Sequence, residues 1–170
     1  MFRDWPYLYQ GDEAYEQRYV ATYAASKNAA IIIARDGDAI VGASTCLPLT
    51  DESAALQHPF RAAGFDPAQV FYFGESVLLA EYRGQGAGVA FFTQREAHAR
   101  AVSPARHAAF CAVIRDPADP RRPADATTLD AFWRHRGYAP HPGLICRMRW
   151  REIGAAAEIE NQLQAWLKPL

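Results

Sequence analysis

A glycine-rich run between a predicted strand and a predicted helix is the segment of this sequence with the clearest chemical potential. The run is Arg83-Gly84-Gln85-Gly86-Ala87-Gly88-Val89, and it follows an apolar stretch that ends near Leu79. Glycines let the backbone turn several N–H groups toward a ligand, and the first turn of the helix adds a partial positive charge. The run therefore predicts a site for an anionic group such as a phosphate.

Two familiar phosphate-binding loops fit this run poorly. A P-loop ends in Gly-Lys followed by Ser or Thr, whereas Gly88 is followed here by Val89 and Ala90. A dinucleotide fingerprint has the spacing G-x-G-x-x-G directly after its strand, whereas Gly84, Gly86 and Gly88 have the spacing G-x-G-x-G. The P-loop is excluded and the dinucleotide site is disfavoured.

Glu75 is the candidate acid–base residue. At the two-residue period of a strand, it shares a face with Phe71, Phe73, Val77 and Leu79. A carboxylate among apolar side chains either pairs with a cation or has a pKa raised by desolvation. Because a raised pKa suits a general base that works near neutral pH, Glu75 is either such a base or a structural carboxylate bonded to an arginine or to loop amides.

Other constellations of reactive side chains give weaker indications. The five histidines include no pair at i,i+4 and no Cys-x-x-Cys occurs, so we expect no metal site. Ser76 lacks a G-x-S-x-G frame and Cys111 lies inside a predicted strand, so neither is indicated as a nucleophile. Four aspartates of one region either attract a cationic amine or cap turns: Asp116, Asp119, Asp125 and Asp130.

The elements that position these residues follow from hydrophobic periodicity and turn signals. An aromatic stripe of tyrosines, one every four residues, predicts a helix over 12–25 whose stripe packs in the core. Ala29–Arg35 and Ala39–Leu47, joined by Asp36-Gly37-Asp38, predict an antiparallel hairpin. Residues 50–70 contain prolines and glycines that limit any helix to a short one through Leu56, so this insertion either shapes a site or is a plain surface excursion.

In the second half of the chain, predicted strands alternate with predicted helices. The predicted elements are strand Phe71–Leu79, helix Val89–Val102, strand Ala108–Arg115, a helix from Thr127 or Thr128 to Arg136, strand Leu144–Trp150 and helix Glu152–Leu167. Together they predict one mixed α/β domain over residues 1–170, with an insertion at about 50–70 and a C-terminal helical extension at about 152–167.

Composition limits the classes of function. The chain has 170 residues, half of them hydrophobic, and a net charge of −1. Nucleic acids and anionic membranes are not expected as partners, because both require a clustered basic surface. No signal peptide or apolar span is visible, and three cysteines do not form a disulfide framework, so we expect a cytoplasmic protein with reduced thiols.

The run Arg83-x-x-Gly86-x-Gly88, preceded by Glu81-Tyr82, resembles the Q/R-x-x-G-x-G/A motif of the GCN5-related N-acetyltransferases (GNAT). The surrounding elements from about Ala29 to Trp150 resemble the family's usual order. The insertion and the C-terminal segment lie outside that pattern. The resemblance implies a mainly antiparallel central sheet flanked by helices, and an enzyme that moves an acetyl group directly from acetyl-CoA to a primary amine.

Residue by residue, the resemblance assigns the amides of Gly84, Gln85, Gly86, Ala87, Gly88 and Val89 to the pyrophosphate of acetyl-CoA. It places Val77, Leu78 and Leu79 on the strand that pairs with the pantetheine arm, just downstream of Glu75. Arg83 has either a structural role or a ligand contact, and Arg121-Arg122 either touches the 3′-phosphate of CoA or is a solvated pair. Many family members carry a tyrosine as general acid where this sequence has Trp133, so no acid is assigned.

Two function classes remain open at this point. The first is the acetyltransferase, whose acceptor is a small molecule or a peptide. The second is a catalytically silent acyl-CoA-binding module, suggested by Trp133. The predicted C-terminal helix has Ile159, Leu163 and Trp166 on one side, so it packs on its own domain or builds a homodimer.

Overall fold

The computed structural model describes residues 2–170, which form a six-stranded sheet with helices on both faces. The helices and strands in chain order are α1 (Glu13–Ala25), β1 (Ala30–Asp36), β2 (Ala39–Pro48), α2 (Ala54–Ala62), β3 (Val70–Leu78), α3 (Ala87–Val102), β4 (His107–Val113), α4 (Asp130–His135), β5 (Ala139–Trp150) and β6 (Ile159–Pro169). Short 3₁₀ turns occur at Leu49–Asp51, Pro67–Gln69 and Ala80–Tyr82.

The strand order is β1-β2-β3-β4-β6-β5, and every neighbouring pair is antiparallel except β3 and β4. The single parallel pair requires a crossover connection, which α3 supplies. The predicted mixed, mainly antiparallel sheet flanked by helices is therefore confirmed. The predicted hairpin is also present, with Gly37 in its turn at a φ of +55°.

The sheet has a separate apolar core on each face. On the α1/α2 face, Tyr23, Leu56 and Phe60 pack against Tyr72 and other side chains of the strands. On the α3/α4 face, the core is built around aromatic side chains, namely Phe71, Phe73, Phe92, Phe110, Tyr138 and Trp166. Helix α1 begins as expected, because the carboxylate of Asp12 accepts a hydrogen bond from the backbone N–H of Tyr15 at 2.8 Å.

The insertion is more regular than its sequence indicates. Helix α2 continues through Pro59 to Ala62, so the expectation that prolines and glycines would limit it to a short helix through Leu56 is wrong. The helix survives because Leu56 and Phe60 are buried on one side of it, and this packing outweighs the hydrogen bond that proline cannot donate.

The predicted C-terminal helix over 152–167 is wrong, because most of this segment is strand β6 inserted between β4 and β5. Asn161, Leu163, Ala165 and Leu167 alternate inward at the two-residue period, and both edges of the strand are paired. Leu163 and Trp166 are buried in opposite cores of the same domain. The exposed apolar stripe that suggested a homodimer therefore does not form.

Candidate functional site

Strands β3 and β4 are paired only over their first residues and then separate. The pairs run from Val70 with His107 to Tyr72 with Ala109, although β3 continues to Leu78 and β4 to Val113. The other edges of these strands pair with β2 and β6. Each strand therefore presents an edge of backbone N–H and C=O groups to an opening in the middle of the sheet, which an extended ligand can pair with.

A β-bulge in β3 sets the direction of the residues beside this opening. Ser44 pairs with Ser76 and Cys46 pairs with Phe73, so Gly74 and Glu75 together face the single residue Thr45. The Thr45 hydroxyl accepts a hydrogen bond from the backbone N–H of Glu75 at 2.9 Å.

Glycine is required at position 74 by the tyrosines of α1. A Cβ there would lie 2.0 Å from the hydroxyl oxygen of Tyr23 and 2.7 Å from that of Tyr19. The two hydroxyls are hydrogen-bonded to each other at 2.8 Å. The tyrosine stripe thus packs in the core, as expected, and it also brings two hydroxyl groups against the bulge.

The bulge corrects the expected composition of the Glu75 face. Phe71 and Phe73 belong to the core on the α3/α4 face, and Ser76 stays on that face because its hydroxyl lies 3.0 Å from that of buried Ser44. The extra residue turns Glu75 to the α1/α2 face, together with Val77. Glu75 therefore does not share a face with the two phenylalanines, as the two-residue period predicted.

The carboxyl group of Glu75 is partly buried, and burial raises its pKa to about 7. That value already includes a smaller increase caused by the negative charge of Glu52 and a partial offset caused by the positive charge of Arg95. Arg95 itself lies on the other face, with its guanidinium 4.6 Å from the ring centre of Phe73. Within residues 2–170 the Glu75 carboxylate has neither an ion pair nor a hydrogen bond, which a structural carboxylate would need.

The loop after β3 has the geometry of an anion site. Gly84 and Gly86 have φ values of +75° and +90°, which favour glycine, and a Cβ at either position would meet no atom within 4 Å. The first N–H of α3 with an acceptor is that of Ala90, which donates to Gly86. The six amides from Gly84 to Val89 therefore have no acceptor among the described residues and are free to bind a ligand.

The remaining residues assigned by the motif surround this loop. Val77 and Leu78 lie in the part of β3 that has left β4, and Leu79 follows directly. Gly88 packs α3 against α4, since a Cβ there would be 3.4 Å from the ring of Phe132. The exposed Arg83 donates a hydrogen bond from Nε to the carbonyl of Leu78 at 3.3 Å, which ties the loop to the strand.

Helix α4 offers no general acid. The indole of Trp133 is packed between Phe110 and Trp166, with ring centres 5.0 Å from each. The hydroxyl of nearby Tyr138 is buried, and it donates to Glu96, which also pairs with Lys168. These side chains hold the core on the α3/α4 face together.

The loop after β4 is occupied by structural contacts. Asp116 accepts a hydrogen bond from the backbone N–H of Ala118, and Asp119 pairs with Arg121. Arg121 also pairs with Glu152, which is buried and is shared with Arg115. Asp116 and Asp119 therefore act as turn caps, and Arg121 is engaged by carboxylates.

The N-terminal segment 2–10 is bound to residues at the ends of β4 and β5, which the sequence did not predict. The carbonyls of Pro6 and Tyr7 accept hydrogen bonds from the guanidinium of Arg115, and the indole N–H of Trp150 donates to the same carbonyl of Tyr7 at 3.1 Å. The available signal was the aromatic density of Trp5-Pro6-Tyr7-Leu8-Tyr9, which is unusual for a segment that packs against nothing.

Comparison with solved structures identifies the fold as one used by acyl-group transferases. This chain is similar to an IAA acetyltransferase from Bacillus cereus (TM-score 0.55, 12% identity, 96% of this chain and 88% of the other). It is similar to a GNAT family acetyltransferase from Elizabethkingia anophelis with acetyl-CoA bound (TM-score 0.57, 10% identity, 96% of this chain and 86% of the other). A third similar structure is that of a ribosomal-protein-alanine N-acetyltransferase from Brucella melitensis (TM-score 0.57, 13% identity, 94% of this chain and 80% of the other).

The chain therefore has the fold of the GCN5-related N-acetyltransferases, as the glycine-rich motif indicated. No protein-family model matches the sequence, and no curated protein matches it significantly. No helix in residues 2–170 combines the length and the apolar character needed to cross a bilayer. In the same residues, no three metal-ligating side chains converge.

Proposed function

We propose that this protein transfers an acetyl group from acetyl-CoA directly to a primary amine. The observation that carries the proposal is the row of six unpartnered amides, from Gly84 to Val89, at the end of a strand whose edge is open. Pyrophosphate is the anion that such a row suits, because several N–H groups and the N-terminus of α3 act on it together. The neighbour with acetyl-CoA bound supports the same choice of ligand.

Binding of the rest of the cosubstrate uses the strand edge. The backbone of Val77 to Leu79 is open toward β4, so it is available to the amide groups of a pantetheine arm. An arm that runs from the loop along this edge brings its thioester toward the bulge. The thioester then lies beside Glu75.

In this arrangement Glu75 acts as the general base. Acetyl transfer requires a neutral amine, because an ammonium nitrogen has no lone pair to attack the thioester carbon. A carboxylate with a pKa of about 7 accepts a proton near neutral pH far better than an ordinary glutamate does. Its lack of an ion pair leaves it free to do so.

The surroundings of Glu75 favour an acceptor that arrives as an ammonium ion. Glu52 acts electrostatically on Glu75, and the charges that act on the Tyr15 hydroxyl are all negative, including those of Glu52, Glu75 and Glu158. A cation relieves the repulsion among these carboxylates, and the tyrosine rings offer it aromatic faces. We therefore propose a positively charged primary amine, either of a small molecule or of a peptide.

Calorimetric titration with acetyl-CoA, followed by assay of thiol release with a panel of amines, tests the proposal. The matched variants are Gly86→Ala and Gly64→Ala, because both glycines have φ near +90° and no atom within 4 Å of an added Cβ. Both variants strain the backbone by about 1–2 kcal/mol. Only Gly86→Ala should weaken acetyl-CoA binding.

Two results would contradict the proposal. A wild-type protein that takes up no acetyl-CoA at millimolar concentration is not this enzyme. A protein that binds acetyl-CoA normally and acetylates no amine would instead be a silent acyl-CoA-binding module.

A further inference from the structure

Thr45 faces the bulge of β3 from the neighbouring strand β2. Glu75 has no partner in the ladder between these strands, because the bulge inserts an extra residue there. The hydroxyl oxygen of Thr45 accepts a hydrogen bond from the backbone N–H of Glu75 at 2.9 Å. A side chain of β2 thus supplies the acceptor that its backbone does not provide at the bulge.

Two tyrosines of α1 complete a group of three hydroxyls at this point. A Cβ at position 74 would lie 2.6 Å from the hydroxyl oxygen of Thr45, 2.0 Å from that of Tyr23 and 2.7 Å from that of Tyr19. The two phenols are hydrogen-bonded to each other at 2.8 Å. The three oxygens therefore surround one point and fill the space beside Gly74.

A regular pairing of β2 with β3 would move the Glu75 side chain to the opposite face of the sheet. Without the extra residue, Glu75 would pair with Ser44 and share the α3/α4 face with Phe73, because alternate residues of a strand lie on one face. That face holds the buried guanidinium of Arg95, 4.6 Å from the ring centre of Phe73. The Nε of Arg95 donates to a backbone carbonyl, and no carboxylate of residues 2–170 forms an ion pair with this residue. The regular register would therefore offer the Glu75 carboxylate a cation.

We propose that Thr45 is a positioning residue whose hydroxyl maintains the bulge and so keeps the Glu75 carboxylate on the α1/α2 face, away from Arg95. The inference rests on the proposed function, in which Glu75 is the general base. A carboxylate paired with an arginine has a lowered pKa and accepts a proton from an amine poorly. Thr45 acts through Glu75 and takes no part in the proton transfer.

Two substitutions at position 45 separate the hydroxyl from the shape of the side chain. Thr45→Val keeps the branched shape and removes the hydroxyl, whereas Thr45→Ser keeps the hydroxyl. We expect Thr45→Val to lower kcat by about 10-fold to 10²-fold, because a small displacement of a reacting group costs a rate of this order. Thr45→Ser should retain kcat to within about threefold of wild type. The affinity of both variants for acetyl-CoA should be that of wild type, because the loop amides lie outside the bulge.

Thr93→Val is the matched control. The Thr93 hydroxyl also makes one hydrogen bond to the backbone, at 3.1 Å from the carbonyl of Val89, and Thr93 is exposed on α3. This variant should have the kcat of wild type.

The decisive measurement combines Thr45→Val with Glu75→Gln in one protein. Effects of residues that act through one another are not additive, whereas effects of independent residues are. If Thr45 acts only by placing Glu75, then Thr45→Val should change the kcat of the Glu75→Gln protein by less than about twofold.

Four outcomes would overturn the inference while leaving the proposed function intact. One is a Thr45→Val protein with the kcat of wild type. Another is a Thr45→Ser protein that loses as much activity as Thr45→Val, which would assign the effect to side-chain shape. The third is an equal effect of Thr45→Val in the wild-type and Glu75→Gln proteins, which would make it independent of Glu75. The fourth is failure of both Thr45→Val and Thr45→Ala to fold, which would make the hydroxyl a requirement of the sheet itself.

Two other outcomes would refute the proposed function itself. One is a wild-type protein that transfers no acetyl group to any amine. The other is a Glu75→Gln protein with the kcat of wild type, which would remove the general base on which the role of Thr45 rests.

Discussion

Replacing Glu75 with glutamine should stabilise the folded protein at alkaline pH. The carboxyl has a pKa of about 7 in the folded protein, against an ordinary value of 4.5, so folding favours its protonated form. Wild-type stability therefore falls as the pH rises from about 4.5 to about 7 and is flat above that range. One pH unit corresponds to about 1.4 kcal/mol, so ionised Glu75 costs the folded protein about 3 kcal/mol at pH 8.5 and about 1 kcal/mol or less at pH 5.

The same substitution should lower the rate while leaving acetyl-CoA affinity nearly unchanged. Glutamine is isosteric with glutamate but accepts no proton, so we expect kcat to fall by roughly 10²–10⁴. The acidic limb of the pH–rate profile, centred near pH 7 in the wild type, should disappear. An activity loss combined with a stability gain is the signature of a group that is retained for chemistry.

Urea denaturation at pH 5 and at pH 8.5 measures the stability part of this prediction. The advantage of Glu75→Gln over wild type should grow by about 2–3 kcal/mol between the two pH values. Glu16→Gln, an exposed position on α1, serves as the control and should show no such growth. A Glu75→Gln protein that is less stable at both pH values, or one that keeps the acidic limb, would refute the reasoning and make Glu75 a structural residue.

Three further substitutions test the surroundings of the site. Glu52→Gln should move the acidic limb to lower pH, because the charge of Glu52 raises the pKa of Glu75; a limb that stays near pH 7 in the rate profile would contradict this. Gly74→Ala should destabilise the protein by about 1–3 kcal/mol in urea denaturation and reduce the rate, since its Cβ would lie 2.0 Å from a tyrosine hydroxyl of α1. Glu152→Gln should cost about 3–5 kcal/mol by the same measurement, because it leaves the buried guanidinium of Arg115 without its anion.

Local patterns in the sequence were sufficient for most elements of the fold. The Asp12 cap and the tyrosine spacing predicted α1, and Asp36-Gly37-Asp38 predicted the β1–β2 hairpin. The glycine run predicted the transition from β3 to α3 and, through its resemblance to a known motif, the whole fold. These features depend on interactions between residues a few positions apart, and such local interactions can be predicted from the sequence.

Strand β6 could not be predicted in this way. Its residues Glu158-Ile159-Glu160-Asn161-Gln162-Leu163-Gln164 include good helix formers, and Ile159, Leu163 and Trp166 fit a helical period. The segment becomes a strand because it pairs with both β4 and β5, and β4 lies tens of residues earlier in the sequence. Tertiary pairing overrides local propensity here.

The residues of the candidate site remain a prediction from the sequence, and one part of their expected geometry is wrong. Glu75 was identified from its apolar neighbours, but the bulge at Gly74 changes the face on which it lies. That bulge depends on the hydroxyls of Tyr19 and Tyr23, about 50 residues earlier in the chain. The position of the N-terminal segment, whose Tyr7 carbonyl is bound by Arg115, is equally non-local.

The hydrogen bonds that hold the N-terminal segment have a consequence for how the protein folds during synthesis. The bonds that hold it join Tyr7 to Arg115 and to Trp150, across 108 and 143 positions of sequence. During translation this segment leaves the ribosome well before β5 and remains without these partners until β5 has been synthesised. Contacts of such long range form late in folding, since the loop they close must be ordered first. The N-terminal segment is therefore attached last, and a nascent chain that has already formed the β1–β2 hairpin does not yet have the complete fold.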